Sequence, residues 1–436
     1  MINGDNMQKI IIRNLLVVKD FEMEINKFNL IIGEQSSGKS TISKAIFFFK
    51  EINTQIKFYI FAYKNKIEYE INEICNHIIK DFFIGIFGKL DSIDNDLYLK
   101  YIYKSNTYIE ITKKNNNLDI NYSENIITFL NKLEIDIKKL FDEYLNVNSS
   151  IRFKDIFERG IGKEINDFFE NESMTYYLPA SRSSIALLNN QRTRLDYDTI
   201  DFIFYLFIML VEKIEFLFKD GVQHIINNIN DDNKKLILNK MNKTIEKYMG
   251  GQYFCDDKFG YIKLENSSKK IPVDKISSGQ QEILWLLNVL LGITYINKKN
   301  QFVIIEEPEA HLYPKMQKEI IDFIVNFMNM TNSSILITTH SPYILTSTNN
   351  LLYAGKLKEN YKDNKEKIKK IDNIVGEYGA INPNEINAFK LYLNDFRYTN
   401  LINEEQEINS EEIDDVSNTI NETYTKLFDM ELNNER

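Results

Sequence analysis

Eight residues, Gly33-Glu34-Gln35-Ser36-Ser37-Gly38-Lys39-Ser40, read G-x-x-x-x-G-K-S. Glycines at this spacing let backbone N–H groups wrap a phosphate, and a helix starting behind them adds its partial positive charge. The expected phosphate-binding set is Gly33, Glu34, Gln35, Ser36, Ser37, Gly38, Lys39, Ser40 and Thr41. Lys39 is expected to reach the β- and γ-phosphates of a nucleoside triphosphate, and the Ser40 hydroxyl to ligate Mg²⁺. A pair of carboxylates, Glu306 and Glu307, closes the apolar run Phe302-Val303-Ile304-Ile305. Glu306 is expected in the Mg²⁺ shell through water, and Glu307 as the base that orients and polarises an attacking water. His340 ends another apolar run, Ser334 to Thr339, where it could bond a γ-phosphate and hold water and Glu307 in register. His311 reads as well as a packing residue beside Glu309. Finally, Ser277, Ser278, Gly279 and Gln280 precede an apolar helix, a start whose free N–H groups can face an anion. An ordinary capped helix reads the same way.

The elements that must hold these residues are legible around them. Phe28 to Ile32 reads as a buried strand ahead of the glycine loop, and Thr41 to Phe49 as a helix with one apolar face. Strand, glycine loop and helix is the context that makes the pattern a nucleotide site. Carboxylates at the C-terminal end of a parallel strand lie on the edge where such sheets bind ligands.

Further strand patterns cover 9–13, 21–25, 97–103, 107–112 and 176–180, the last ended by Pro179. Helical patterns cover 126–145 and nearly all of 185–249. The expected division is 1–50 as an N-terminal lobe with the phosphate loop and 51–184 as core with strand and helix insertions. A helical insertion at 185–250, a C-terminal lobe at 251–346 and a helical extension at 347–436 complete it.

Composition removes several classes. Hydrophobic residues at 43% exclude a disordered chain, and 436 residues suggest a large domain with insertions. The longest apolar run, Phe202 to Val211, falls well short of the about 20 residues that span a bilayer. No leader pattern opens the sequence, and Cys75 and Cys255 form no C-x-x-C pair, so a reduced cytoplasmic compartment is expected. A net charge of −10 excludes a uniformly basic DNA-coating surface, and lysine pairs such as Lys113-Lys114 read as solvated faces.

Taken together, Gly33 to Ser40, Ser277 to Gln280, Glu306-Glu307-Pro308-Glu309-Ala310-His311-Leu312-Tyr313-Pro314 and Thr339-His340-Ser341 resemble the ABC-class ATPases of the SMC, RecF and OLD type. The segment Tyr177 to Ser183 is also similar to stand-alone AAA-type ATPases of bacterial antiphage systems such as Septu. The resemblance implies an α/β fold: a P-loop ABC-type ATPase head with a mixed sheet and a helical insertion, with short arms and no long coiled coil. It implies ATP and Mg²⁺ as ligands, and a homodimer with each ATP between one chain's phosphate loop and the other chain's serine-glycine loop. Higher oligomers and nucleic acid stay open as partners; a membrane does not.

The functional expectation is an ATP-dependent switch of an antiphage system that controls a separately encoded effector, a nuclease. A RecF-like repair ATPase and a transporter's ATPase subunit are the alternatives. Only 96 residues follow His340, and they show no nuclease carboxylate set; Asp414-Asp415 reads as part of a solvated acidic helix. Two features depart from the family. Ile276-Ser277-Ser278 stands where many relatives have leucine, serine, glycine. The Mg²⁺-ligating glutamine is unassigned among Gln55, Gln191 and Gln252. Arg182 fits nucleotide sensing, a structural role or a partner contact equally.

Overall fold

Fourteen strands form three sheets in the computed structural model, which describes residues 7–62, 70–144, 150–170, 174–188, 200–255, 260–265, 267, 269–296, 300–393, 397–409, 421–428 and 430. β1 (Lys9–Leu15) and β2 (Val18–Glu24) make a hairpin, extended by β4 (Tyr98–Lys104), β5 (Thr107–Lys114) and β6 (Asn117–Tyr122) in the order β2-β1-β4-β5-β6. All of its pairings are antiparallel. β8 (Gly251–Cys255), β9 (Gly260–Leu264) and β10 (Lys270–Pro272) form a small antiparallel sheet.

The central sheet runs β14-β13-β3-β12-β11-β7, with β3 (Phe28–Gly33), β7 (Thr175–Leu178), β11 (Phe302–Glu306), β12 (Ser334–Thr339), β13 (Ile386–Leu391) and β14 (Tyr398–Asn400). Five strands are parallel, and β14 pairs antiparallel with β13 at one edge. The sheet is therefore mixed, and the fold is α/β as expected.

Burial on both faces explains why these strands read as unbroken apolar runs. Ile31, Ile304 and Leu336 point into one core with the helix Lys39–Ala62 and the five-stranded sheet. Leu30, Val303, Ile305, Ile335 and Ile337 point into the other, with the helices Phe202–Leu217, Ser278–Ile296 and Pro314–Thr331.

Several expectations shift. The patterns at 9–13 and 107–112 lengthen by two residues, 21–25 becomes 18–24, 97–103 shifts by one residue to 98–104, and 176–180 shortens to 175–178, so β7 stops before Pro179. β6 was not visible in the sequence; Asn115 and Asn116 at φ 47° and 59° make the tight turn that brings it back onto β5. The expected helix at 126–145 spans Glu124–Tyr144, and its last position lies outside the described residues. The stretch 185–249 holds Ser184–Leu188, Phe202–Leu217, Val222–Asn227 and Asp232–Met249, with 189–199 outside the description. Residues 347–436 are not a purely helical extension. After Pro342–Asn360 and Lys365–Val375 the chain returns as β13, which pairs in parallel with β3 along Phe28 to Gly33. Asp414-Asp415 lies outside the described residues. Lys113 is not solvated: it is 5% exposed, and its ammonium donates to the carbonyls of Leu90 and Ile93. The longest helix among the described residues is Lys39–Ala62, of 24 residues.

Candidate functional site

The parallel strands bring the motifs to one edge. β12 pairs with β3 so that Thr339 faces Ile32, and with β11 so that Thr338 faces Glu306. Gly33, Glu306, Glu307 and His340 thus leave the sheet at neighbouring C-terminal ends. The glycine loop turns through Ser36 at φ 65° and Gly38 at φ 99°. A side chain at Gly38 would sit 2.7 Å from the Val18 methyl, so the β1–β2 hairpin packs directly against the loop. Lys39 is 5% exposed, and its ammonium donates to the carbonyls of Gly33 at 2.8 Å and Glu34 at 2.7 Å. Burial lowers the Lys39 pKa, and the charges of Glu307, Glu309, Glu306 and Glu34 oppose that shift. Gly33, Ser37 and Gly38 are buried, Thr41 is half-buried, and Glu34, Gln35, Ser36 and Ser40 are exposed. The Ser37 hydroxyl is buried without a hydrogen-bond partner, a donor held in reserve.

The carboxylates occupy different environments. Glu306, 6% exposed, accepts from the Tyr177 hydroxyl at 2.7 Å and more weakly from Ser43 Oγ and the Ala180 amide, each at 3.4 Å. Ser43 Oγ and Tyr177 OH also bond each other at 2.7 Å. Glu307 keeps a partly exposed side chain on a backbone at φ 42°, a left-handed conformation unusual for a residue with a Cβ. Its amide donates to the Thr338 carbonyl at 2.8 Å. Glu309 is buried and accepts from Thr339 Oγ1 and from the His340 amide. The exposed His340 ring sets Nδ1 3.6 Å from Glu307 and 3.4 Å from Glu309. His311 is exposed, on a backbone at φ 60°.

Arg182 is the residue whose place the sequence left open. It is fully buried. Nη1 donates to the carbonyls of Pro179 at 2.8 Å and Glu306 at 2.6 Å, Nη2 to that of Glu307 at 2.9 Å, and Nε faces Glu282 Oε2 at 3.0 Å. Glu282, 1% exposed, also accepts from the Ser183 amide at 3.1 Å. No residue type in the sequence signals this placement, because the acceptors are main-chain carbonyls and two of them lie more than 120 positions away. Tyr177 and Glu282 were likewise not singled out.

Ser277 and Gln280 cap the helix Ser278–Ile296 reciprocally. The Gln280 amide donates to Ser277 Oγ at 3.3 Å, and the Ser277 amide to Gln280 Oε1 at 3.2 Å. Ser277, Ser278 and Gln280 are exposed, and no hydrogen bond among the described residues joins them to the glycine loop. A side chain at Gly279 would meet the His311 carbonyl at 2.7 Å, so this helix start presses on the turn that follows Glu309. Of the candidate glutamines, Gln55 sits on the helix Lys39–Ala62, Gln252 is exposed on β8, and Gln191 lies outside the described residues.

Residues 6–345 match a family described as an AAA ATPase domain. Endonuclease GajA of Bacillus cereus (strain HuB5-5) is 25% identical over 414 residues, covering 79% of this chain and 57% of its own. Protein ea59 of Escherichia phage lambda is 25% identical over 138 residues, 31% of this chain and 25% of its own. The chain thus spans little more than half the length of the first relative and less of the second. Among solved structures, the SMC head domain from Thermotoga maritima aligns with a TM-score of 0.35 at 11% identity, covering 78% of this chain and 92% of that one. No helix among the described residues is long and apolar enough to cross a membrane.

Proposed function

The chain belongs to the AAA ATPase domain family, and from that premise we propose that it is an ATP-driven dimeric switch controlling a separate effector. The observation that carries this reading is the convergence of Lys39 with Glu306, Glu307 and Glu309 at one edge of the parallel sheet. The residues present fit a bound nucleotide. The loop turns inward through Gly38, the Ser37 hydroxyl lacks a partner, and the Lys39 ammonium rests on loop carbonyls that phosphate oxygens can replace. Ser40 and Glu306 would hold Mg²⁺, which supplies charge neutralisation on the β/γ-phosphate oxygens; one or two protein oxygens suffice for such sites. Lys39 binds the terminal phosphates, Glu307 accepts a proton from the attacking water, and His340 holds Glu307 in place from 3.6 Å.

The exposed Ser277–Gln280 loop supports the dimer, since a helix start facing solvent can receive a second chain's phosphate. The defence role rests on the likeness of Tyr177 to Ser183 to antiphage members, and a nuclease effector on the endonuclease relative. The test uses three variants. Lys39→Ala abolishes nucleotide binding. Glu307→Gln keeps binding but lowers hydrolysis by about 10²-fold or more, as loss of a positioned base does. In that background ATP strengthens self-association, and Ser278→Arg removes the gain. Equal ATPase rates for Glu307→Gln and the unaltered protein would reject the assignment. The purified chain is expected to cut neither DNA nor RNA; cleavage that survives Lys39→Ala would reject the separate effector.

A further inference from the structure

Arg182 spends its fork on main-chain carbonyls at the site, although no part of it reaches solvent. Three acceptors, Pro179, Glu306 and Glu307, come from the ends of two neighbouring strands, β7 and β11. The fourth partner, Glu282, lies on the helix that begins at Ser278, in the turn after Gly279. One planar guanidinium therefore joins three elements, which an ammonium on a flexible stem cannot do with the same directions. A buried ion pair adds little stability over apolar packing of equal volume. Its geometric specificity is what distinguishes it here. The carbonyl it grips at Glu307 belongs to a residue in the left-handed region, a conformation that persists only when its surroundings enforce it. The Thr338 carbonyl holds the amide of that residue, and Arg182 holds its carbonyl. A second tie runs in parallel, because Gly279 leaves no room between the same helix start and the His311 carbonyl.

We infer that Arg182 is a positioning residue for hydrolysis: it acts by fixing the backbone of Glu307, and through Glu282 makes that position depend on the helix that starts at the Ser277–Gln280 loop. The inference rests on the reading of Glu307 as the base. Its consequence is that an event at Ser278, such as engagement of another chain's nucleotide, is felt at Glu307 of the same chain. Arg182 has no hydrogen bond to the phosphate loop, and it meets Glu306 and Glu307 only at their main-chain carbonyls, not at the carboxylates. Binding and turnover should therefore separate when it is changed.

Arg182→Lys retains the charge opposite Glu282 and loses the fork. The expected result is a fall in kcat on the order of 10²-fold, the effect of a roughly 1 Å misplacement of a catalytic group, with ATP affinity unchanged within a few-fold. Glu282→Gln, close in shape, is the second variant and decides the matter if Arg182→Lys does not fold; it should lower kcat about tenfold or more with the same unchanged affinity. Each is then combined with Glu307→Gln. A residue acting through Glu307 has nothing left to position there, so the residual rate of Glu307→Gln should not fall further. The inference is overturned if ATP affinity falls in step with kcat, if the residual rate drops again in the double variants, or if kcat is unchanged in the folded single variants. Should Glu307→Gln alone leave hydrolysis intact, the base assignment fails and takes this inference with it. If Glu307→Gln is inactive while Glu282→Gln and Arg182→Lys are not, only the positioning role fails.

Discussion

Tyr177→Phe isolates the support beneath Glu306, because it removes one oxygen and keeps the ring. That hydroxyl is the strong donor to Glu306 Oε1, at 2.7 Å, while Ser43 Oγ and the Ala180 amide stand at 3.4 Å. Burial, followed by the charge of Glu306, holds the Tyr177 pKa well above its ordinary value, so the phenol remains a donor at working pH. A hydrogen bond to a charged group contributes about 1.5–3 kcal/mol, and removing it from a buried carboxylate falls within that range. Ser43, released from Tyr177, can turn toward Glu306 and recover part of the loss. The net expectation is about 2 kcal/mol, or roughly thirtyfold in the folding equilibrium. Urea unfolding followed by circular dichroism measures it as a lower midpoint at unchanged slope. The same variant should raise the Mg²⁺ concentration needed for half-maximal ATPase, since Glu306 loses the partner that orients it. A midpoint and an Mg²⁺ requirement both equal to those of the unaltered protein would refute the assignment of Tyr177 as the support of this carboxylate.

Three further outcomes follow from local geometry. Gly38→Ala meets both a positive φ and the Val18 methyl at 2.7 Å, so it should cost about 1–3 kcal/mol of loop strain and weaken nucleotide binding in titrations. Gly279→Ala drives a methyl into the His311 carbonyl and should lower ATP-dependent self-association while nucleotide binding to the single chain persists; light scattering and a binding titration separate the two. Lys50 is buried beside Phe302, and burial lowers its pKa to about 7, with Glu51 opposing the shift. The unfolded chain then holds the extra proton between pH 7 and the ordinary 10.5, so stability rises with pH across that window. Lys50→Met should remove this slope, which is at most about 1.4 kcal/mol per pH unit. Its stabilising effect should be largest below pH 7 and fade toward pH 10.5 in urea titrations; a difference independent of pH contradicts the argument.

The site was legible where its chemistry is local. Gly33 to Ser40, Phe302 to Glu307 and Ser334 to His340 each join a strand end to its candidate residues within eight positions. Full burial on both faces writes those strands as unbroken apolar runs, and the register of β3, β12 and β11 then brings their ends together. β13 escaped notice for the opposite reason. Ile386-Asn387-Ala388-Phe389-Lys390-Leu391 is short, is broken by Asn387 and Lys390, and lies beyond two helices, so nothing in it announces a partner more than 350 positions earlier. Its importance to the site is nonetheless direct. A side chain at Gly33 would lie 2.8 Å from the Leu391 carbonyl, so the C-terminal strand forms one wall of the turn into the phosphate loop.

Arg182 and Glu282 show a second limit of the same kind. A motif is visible when the residues that act together are also neighbours in the chain, and here they are 100 positions apart. The functional pull on each is indirect, since one acts on carbonyls and the other on the first. Carbonyl acceptors belong to every residue, so an arginine that serves them leaves no trace in the types around it. What the fold adds is the coincidence of three strand and helix ends at one buried point, with Glu307 held in a strained conformation there. On the inference drawn above, that coincidence ties the helix start at Ser278 to Glu307 through two side chains, Glu282 and Arg182, so a contact at the former is expected to alter the geometry of the latter.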